Sequence, residues 1–219
     1  MIKLLSMRIL ILIGHGEGDK GAVHKNFIEN ELNKKVAQYL YNFLVAQGFK
    51  NITLDKDTNL QSEIKLANQG KYDLILSIHF NAGGGDGFEC FYYTEDKRAK
   101  ELCYSIEKEV KSIGQNSRGV KNGNSFAIIK NVAPTSIILE GAFLDNKKDM
   151  ELFDNNDKLK KLGIAYAKGI MKHYGINIIK DEPKKLYKVQ VGAFTVKQNA
   201  IDLSTRLKKL GFPSIIVTE

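Results

Sequence analysis

Three apolar runs in this chain each end in a side chain able to do chemistry. Residues 9–13 are five consecutive aliphatics leading into Gly14-His15-Gly16, Leu74-Ile75-Leu76-Ser77-Ile78 ends in His79, and Ile137-Ile138-Leu139 ends in Glu140-Gly141. Runs of β-branched and Leu residues without polar alternation mark strands buried on both faces. Between them the spacing changes to the helical period. Leu32, Val36, Leu40, Phe43 and Leu44 form one stripe over residues 29–47, stopped by Gly48. Residues 59–70, 98–113 (through Leu102, Ile106, Val110 and Ile113) and 158–174 read as further helices, and the short runs 52–54, 87–93 and 126–129 as strands. Alternating strands and helices predict an α/β fold, a mostly parallel central sheet flanked by helices on both faces. Ligands in such sheets bind at the carboxyl ends of the strands, so with the three long runs parallel and central, His15, His79 and Glu140 converge on one crevice.

The texture changes after Asn177. Lys180-Asp181-Glu182-Pro183-Lys184-Lys185 is charged, lacks apolar periodicity and reads as a linker. A strand-like run at 186–191, a helix over 197–210 and a last strand at 214–218 follow. The predicted organisation is a catalytic-sized domain over 1–178, a linker over 179–185 and a small strand-helix-strand module over 186–219.

Composition narrows the classes. The 219 residues are 43% apolar with 33 Lys and Arg against 25 Asp and Glu, a net charge of +8. That balance suits an anionic partner such as nucleic acid, a membrane surface or a cell-wall polymer. The lysines are dispersed and no arginine-rich, aromatic-interleaved patch stands out, so nucleic acid is not the expected partner. No run is long enough to cross a bilayer, and membrane association is not expected either. Lys3 and Arg8 before an apolar run mimic a signal peptide, but the run is one strand long and lacks a small-residue cleavage site. The expectation is a protein made in the cytoplasm that reaches an outside target after release by a holin or by cell lysis. Cys90 and Cys103 are not a CxxC pair and read as small buried hydrophobes.

The helical stripe separates two carboxylates. Glu29 lies three residues before Leu32 and seven before Val36, on the inward face, whereas Glu31 falls with Lys35, Gln38 and Asn42 on the polar face. An inward carboxylate is costly unless it is paired or binds a metal. Two histidines and such a carboxylate match the ligand set of a catalytic zinc, which keeps a fourth position open, and Glu140 is the carboxylate left to move a proton. Taken singly, a histidine at a strand end is more often a hydrogen-bonded core or loop residue than a ligand. His24 and His173 have no such context and read as solvated or capping residues.

The residues also carry a resemblance. Gly14-His15-Gly16-Glu17-Gly18-Asp19-Lys20-Gly21-Ala22, Glu29-Asn30-Glu31-Leu32-Asn33, Ser77-Ile78-His79-Phe80-Asn81-Ala82 and Leu139-Glu140-Gly141-Ala142-Phe143-Leu144-Asp145-Asn146 resemble, in order, the motifs of the zinc-dependent N-acetylmuramoyl-L-alanine amidases of the amidase-3 type, which include bacterial autolysins and phage endolysins. The resemblance implies one Zn²⁺ per chain held by His15, Glu29 and His79, with Glu140 catalytic, hydrolysis of the bond between N-acetylmuramic acid and L-alanine, and peptidoglycan as partner. Asn81 and Arg118, the latter in Ser117-Arg118-Gly119-Val120-Lys121, are implied substrate contacts; for Arg118 a surface ion pair is the alternative. This sequence departs from the family at Lys20, often proline, at Glu63, often arginine, and in lacking a Thr-Arg pair after the second strand. Leu186-Tyr187-Lys188-Val189-Gln190-Val191-Gly192-Ala193-Phe194, with Leu210-Gly211-Phe212, resembles the opening half of a sporulation-related repeat (SPOR) that binds peptidoglycan glycan. A stretch this short cannot bury an adequate core alone. It is expected either to pack on the catalytic domain or to pair with its copy in a homodimer through 186–219. Two rival readings are a non-catalytic wall-binding protein and a zinc peptidase acting on wall peptides.

Overall fold

The computed structural model describes residues 6–56, 58–179, 190–212 and 214–216. Its contacts divide the chain into two units, Met1–Ile179 and Lys180–Glu219.

In the first unit the apolar runs form the strands β1 (Arg8–Ile13), β5 (Leu74–Asn81) and β8 (Thr135–Phe143), whose aliphatic side chains are almost wholly excluded from solvent. β4 (Asn51–Leu54), β6 (Phe88–Tyr92) and β7 (Ser117–Asn122) complete a six-stranded sheet in the order β4-β1-β5-β8-β6-β7. β4, β1, β5 and β8 are mutually parallel, and β6 pairs antiparallel with β8 and parallel with β7. A two-stranded ribbon, β2 (Val23–His24) with β3 (Phe27–Ile28), lies between β1 and the first helix.

Helices α1 (Glu29–Ala46), α3 (Lys97–Ser112) and α6 (Asn156–His173) bring Leu40, Ile106 and Ile170 into one core cluster with Ile11, Leu76 and Leu139 of the sheet. The opposite face carries α2 (Leu60–Gln69) and the single turn α4 (Ala127–Lys130), with Ala67, Ile128 and Ile129 against Leu10, Leu12, Ile75 and Ile138. α5 (Lys147–Phe153) links β8 to α6. This is the α/β architecture the pattern predicts, with helices on both faces.

Three local readings are corrected. Residues 126–129 form no strand; Ile128 and Ile129 are adjacent yet pack into the same cluster, which a helical turn permits and a strand, alternating its side chains, does not. Ser117–Asn122, too polar to register as a strand, is the edge strand β7. Cys90 and Cys103 are fully buried as expected, but they are also joined as a disulfide between β6 and α3.

In the second unit the regular element among the described residues is α7 (Lys197–Lys209). Ser204 is buried there and its hydroxyl lies 2.9 Å from that of Ser214, while Leu210, Phe212 and Ile215 are exposed. Of the two strand-like runs, residues 186–189 and 217–218 lie outside the described residues, and Gln190, Val191 and 214–216 are not in strands. Among the described residues no helix is long and apolar enough to cross a membrane.

Candidate active site

The strands do not stop at His79 and Glu140 as the apolar runs suggest, since β5 runs on to Asn81 and β8 to Phe143, but register still places the polar residues side by side. His79 of β5 pairs with Glu140 of β8, Glu140 pairs in turn with Glu89 of β6, and Gly14, just beyond β1, donates its N–H to the Ile78 carbonyl at 3.0 Å. Paired residues on neighbouring strands share a face, so His79, Glu140 and Glu89 form one row over the α2 side of the sheet.

The turn after β1 is clamped from α1. The side-chain amide of Asn33 donates to the Gly14 carbonyl at 2.8 Å and that of Asn30 to the His15 carbonyl, which holds His15 in the left-handed region at φ 61°. A non-glycine residue there is strained and persists because its surroundings over-determine it. Gly14 leaves the space in which the His79 imidazole lies; a Cβ at this position would overlap the ring. Gly21 does the same for the other two residues, since a Cβ there would stand 2.5 Å from Glu29 Oε2 and 2.6 Å from His15 Cδ2.

Glu29 opens α1 and is 4% exposed, whereas Glu31 faces solvent, as the helical stripe predicts. Its Oε2 lies 3.2 Å from His15 Nε2 and its Oε1 lies 3.0 Å from His79 Nδ1. The backbone N–H groups of Ala22 and Phe80 also donate to this carboxylate, at 2.9 and 3.3 Å. One ligand atom from each of His15, Glu29 and His79 falls within 4.8 Å of the others, so the group could hold a metal ion. The histidines are oriented from behind. Asp19 Oδ2 is 2.7 Å from His15 Nδ1, and Ser77 Oγ is 3.1 Å from His79 Nε2. Such outer partners fix which ring nitrogen faces a metal.

Burial alone would raise the Glu29 carboxyl, but hydrogen bonds from His15, His79 and Ala22 outweigh it and hold the group well below the usual carboxylate range. His15 is raised to about 9, first by its hydrogen bond with Glu29 against desolvation, then by Asp19. Glu140 behaves oppositely. It is 9% exposed, its Oε2 has no partner, and burial pushes it up to about 7, with His79 pulling down and Glu29 and Glu89 pushing up. A carboxyl poised near neutrality can both accept and return a proton.

Asn81 and Arg118, the two implied substrate contacts, converge on Glu89: Asn81 Nδ2 donates to it at 3.1 Å and Arg118 Nε at 2.6 Å, and Lys121 pairs with the same carboxylate. Arg118 is therefore ion-paired, and it stays 43% exposed beside the crevice.

A family model described as N-acetylmuramoyl-L-alanine amidase matches residues 9–172. The chain belongs to that family. This amidase is 31% identical over 220 residues to the sporulation-specific N-acetylmuramoyl-L-alanine amidase of Bacillus subtilis, covering 96% of this chain and 84% of that protein. It is 27% identical to the endolysin of Bacillus phage SPP1 over 76% of this chain and 65% of the phage protein. Among solved structures, the N-acetylmuramoyl-L-alanine amidase from Clostridium difficile 630 superposes with a TM-score of 0.70 at 26% identity, covering 78% of this chain and 97% of that one.

Sequence reasoning missed Asn30, Asn33, Asp19, Ser77, Glu89 and Lys121 as parts of the amidase site. Asp19 sits four residues after His15 in a glycine-rich turn, a spacing that could have exposed it. Glu89 and Lys121 carry no local signal, because their meaning arises from strand pairing.

Proposed function

We propose that the amidase is a zinc enzyme that cleaves the bond between the lactyl group of N-acetylmuramic acid and the L-alanine of the peptidoglycan stem. His15, Glu29 and His79 hold the metal and Glu140 carries the proton. The observation that supports this most directly is the position of Glu29, whose two oxygens each face one imidazole while Asp19 and Ser77 occupy the rings' other nitrogens. Two nitrogens and a carboxylate are the donor set that zinc takes in hydrolytic sites, and Gly14 and Gly21 leave their side chains the room they occupy. When bound there, zinc supplies Lewis acidity to a carbonyl and lowers the pKa of a water.

The chain's own groups do the rest. Asp19 accepts from His15 Nδ1–H, which leaves Nε2 as the donor to a metal. Glu140, the register partner of His79 on the neighbouring strand, takes a proton from the attacking water and returns it to the leaving nitrogen. Asn81 and Arg118 border the row and contact the stem peptide. A non-catalytic wall binder has no use for Glu140 in this row, and the relatives' names favour an amidase over a peptidase. Action on the wall follows release of the protein from the cytoplasm. The exposed Leu210, Phe212 and Ile215 support pairing of the C-terminal unit with a second copy. The test combines metal analysis with mass spectrometry of digested peptidoglycan. About one zinc per chain and stem peptides with a free L-alanine amino end are expected; full activity in metal-free protein, or cleavage within the stem, would refute the reading.

A further inference from the structure

The amidase reading gives Asn81 and Arg118 to the stem peptide without naming the group that they bind. Glu89 is 4% exposed and accepts from Asn81, Arg118 and Lys121 at once. It is a buried anion whose role is to orient two cations. Those cations are not themselves buried: the side chains of Arg118 and Lys121 are 43% and 35% exposed. Arg118 spends its Nε on Glu89, and among the described residues its terminal nitrogens make no close bond. Nη1 lies 3.9 Å from Asp86 Oδ1, beyond hydrogen-bond range, and Asp86 is itself 58% exposed. The guanidinium carbon stands 5.4 Å from the Phe143 ring centroid, within cation–π range. Lys121 likewise has donors left after its bond to Glu89. Glu89 and Asp86 balance the two cations in charge, so what the cluster offers beside the crevice is a set of cationic donors still open to an anion.

The register fixes where those donors lie. Strands in a sheet are about 4.8 Å apart, so the Glu89 row is one strand from Glu140 and two from His79. An extended peptide advances about 3.3–3.6 Å per residue. The second stem residue lies nearly two rises, about 6–7 Å, past a scissile carbonyl held at His79 and Glu140, so its substituents come within reach of the long Arg118 and Lys121 side chains that pair with Glu89. In peptidoglycan that residue is a glutamate joined through its side-chain carboxyl, and its α-carboxyl is either free or amidated.

We infer that Arg118 and Lys121, positioned by Glu89, form a subsite for the free α-carboxylate of the second stem residue, which makes them the residues that discriminate acidic from amidated stems. The inference rests on the amidase reading and adds the ligand of one subsite to it. A guanidinium fork and an ammonium both recognise carboxylate, and neither gains a comparable bond from a neutral amide.

The experiment measures kcat/KM of the full, zinc-loaded chain on two matched substrates, N-acetylmuramoyl-L-Ala-D-isoglutamate and its D-isoglutamine counterpart. The acid is expected to be preferred by about tenfold at low salt, the worth of one charge-assisted hydrogen bond, with the preference shrinking as salt is added. In Arg118→Gln and in Lys121→Met the ratio should fall toward one. A wild-type ratio of one or less overturns the subsite, and so does a wild-type preference that both variants retain. Should either variant fold poorly, the wild-type ratio and its salt dependence still decide. Failure to cleave either substrate overturns the amidase reading along with the subsite, whereas equal cleavage of both overturns the subsite alone.

Discussion

Replacing Gly14 with alanine isolates the packing on which the metal group depends. Gly14 is not among the positive-φ residues, so alanine is compatible with its backbone and the new methyl is the whole perturbation. That methyl would overlap the His79 imidazole at Cε1, Nδ1 and Nε2. To regain an ordinary contact of 3.4–4 Å the ring must retreat by about 1 Å. The Nδ1 to Glu29 Oε1 separation, now 3.0 Å, cannot survive a shift of that size, and metal sites tolerate roughly 0.2 Å in their ligand distances. Disturbing a residue that only supports a ligand costs about 10–100-fold in affinity, so displacing a ligand itself should cost at least about 100-fold, near 3 kcal/mol. The assay is zinc competition against a chromophoric chelator, with metal analysis after dialysis. Circular dichroism melting of the metal-free variant separates this effect from overpacking, which by itself costs about 1–3 kcal/mol. Wild-type zinc affinity in a folded Gly14→Ala protein would refute the argument.

Glu140→Gln should keep its zinc while losing about 10²–10⁴ in rate, and a variant that loses its metal instead would assign Glu140 to the ligand set. Glu29→Gln should strip the metal and Glu31→Gln should leave it, because the first is buried between the histidines and the second faces solvent; the reverse result in metal analysis would overturn the face assignment. Glu63 on α2 is 4% exposed with Oε1 unpartnered, and burial, then the charge of Asp55, raises it to about 7 from 4.5. The native state then holds this proton more tightly than the unfolded chain, so the metal-free protein loses stability as pH rises from 4.5 to 7 and loses no more above that. Glu63→Gln should match wild type near pH 4 and melt several degrees higher at pH 8, a gain of up to about 3 kcal/mol; equal melting at both pH values would count against it. Light scattering on the full chain and on residues 1–181 should give a dimer and a monomer, and monomers in both cases would refute pairing through the C-terminal unit.

The apolar runs ending in His15, His79 and Glu140 were legible in the chain because strands covered by helices on both faces must be continuously apolar, and a polar residue that closes such a run stands out even where, as at His79 and Glu140, the strand itself continues. Glu29 could be told from Glu31 for a similar reason: the 3.6-residue period of α1 assigns each to a face before any partner is known. Periodicity is silent on which strands pair and in which direction. The antiparallel turn of β6 and β7, and with it the meeting of Glu89 with Glu140, Arg118 and Lys121, depends on contacts between residues far apart in sequence. So does the overlap that makes Gly14 necessary, since the atoms it would strike belong to His79. Ser117–Asn122 escaped notice as a strand because an edge next to solvent needs no apolar alternation, and Cys90 met Cys103 only once α3 had packed on β6. Local pattern determined which residues face inward; the tertiary fold decided which of those inward residues stand beside one another, because that depends on register and packing rather than on period.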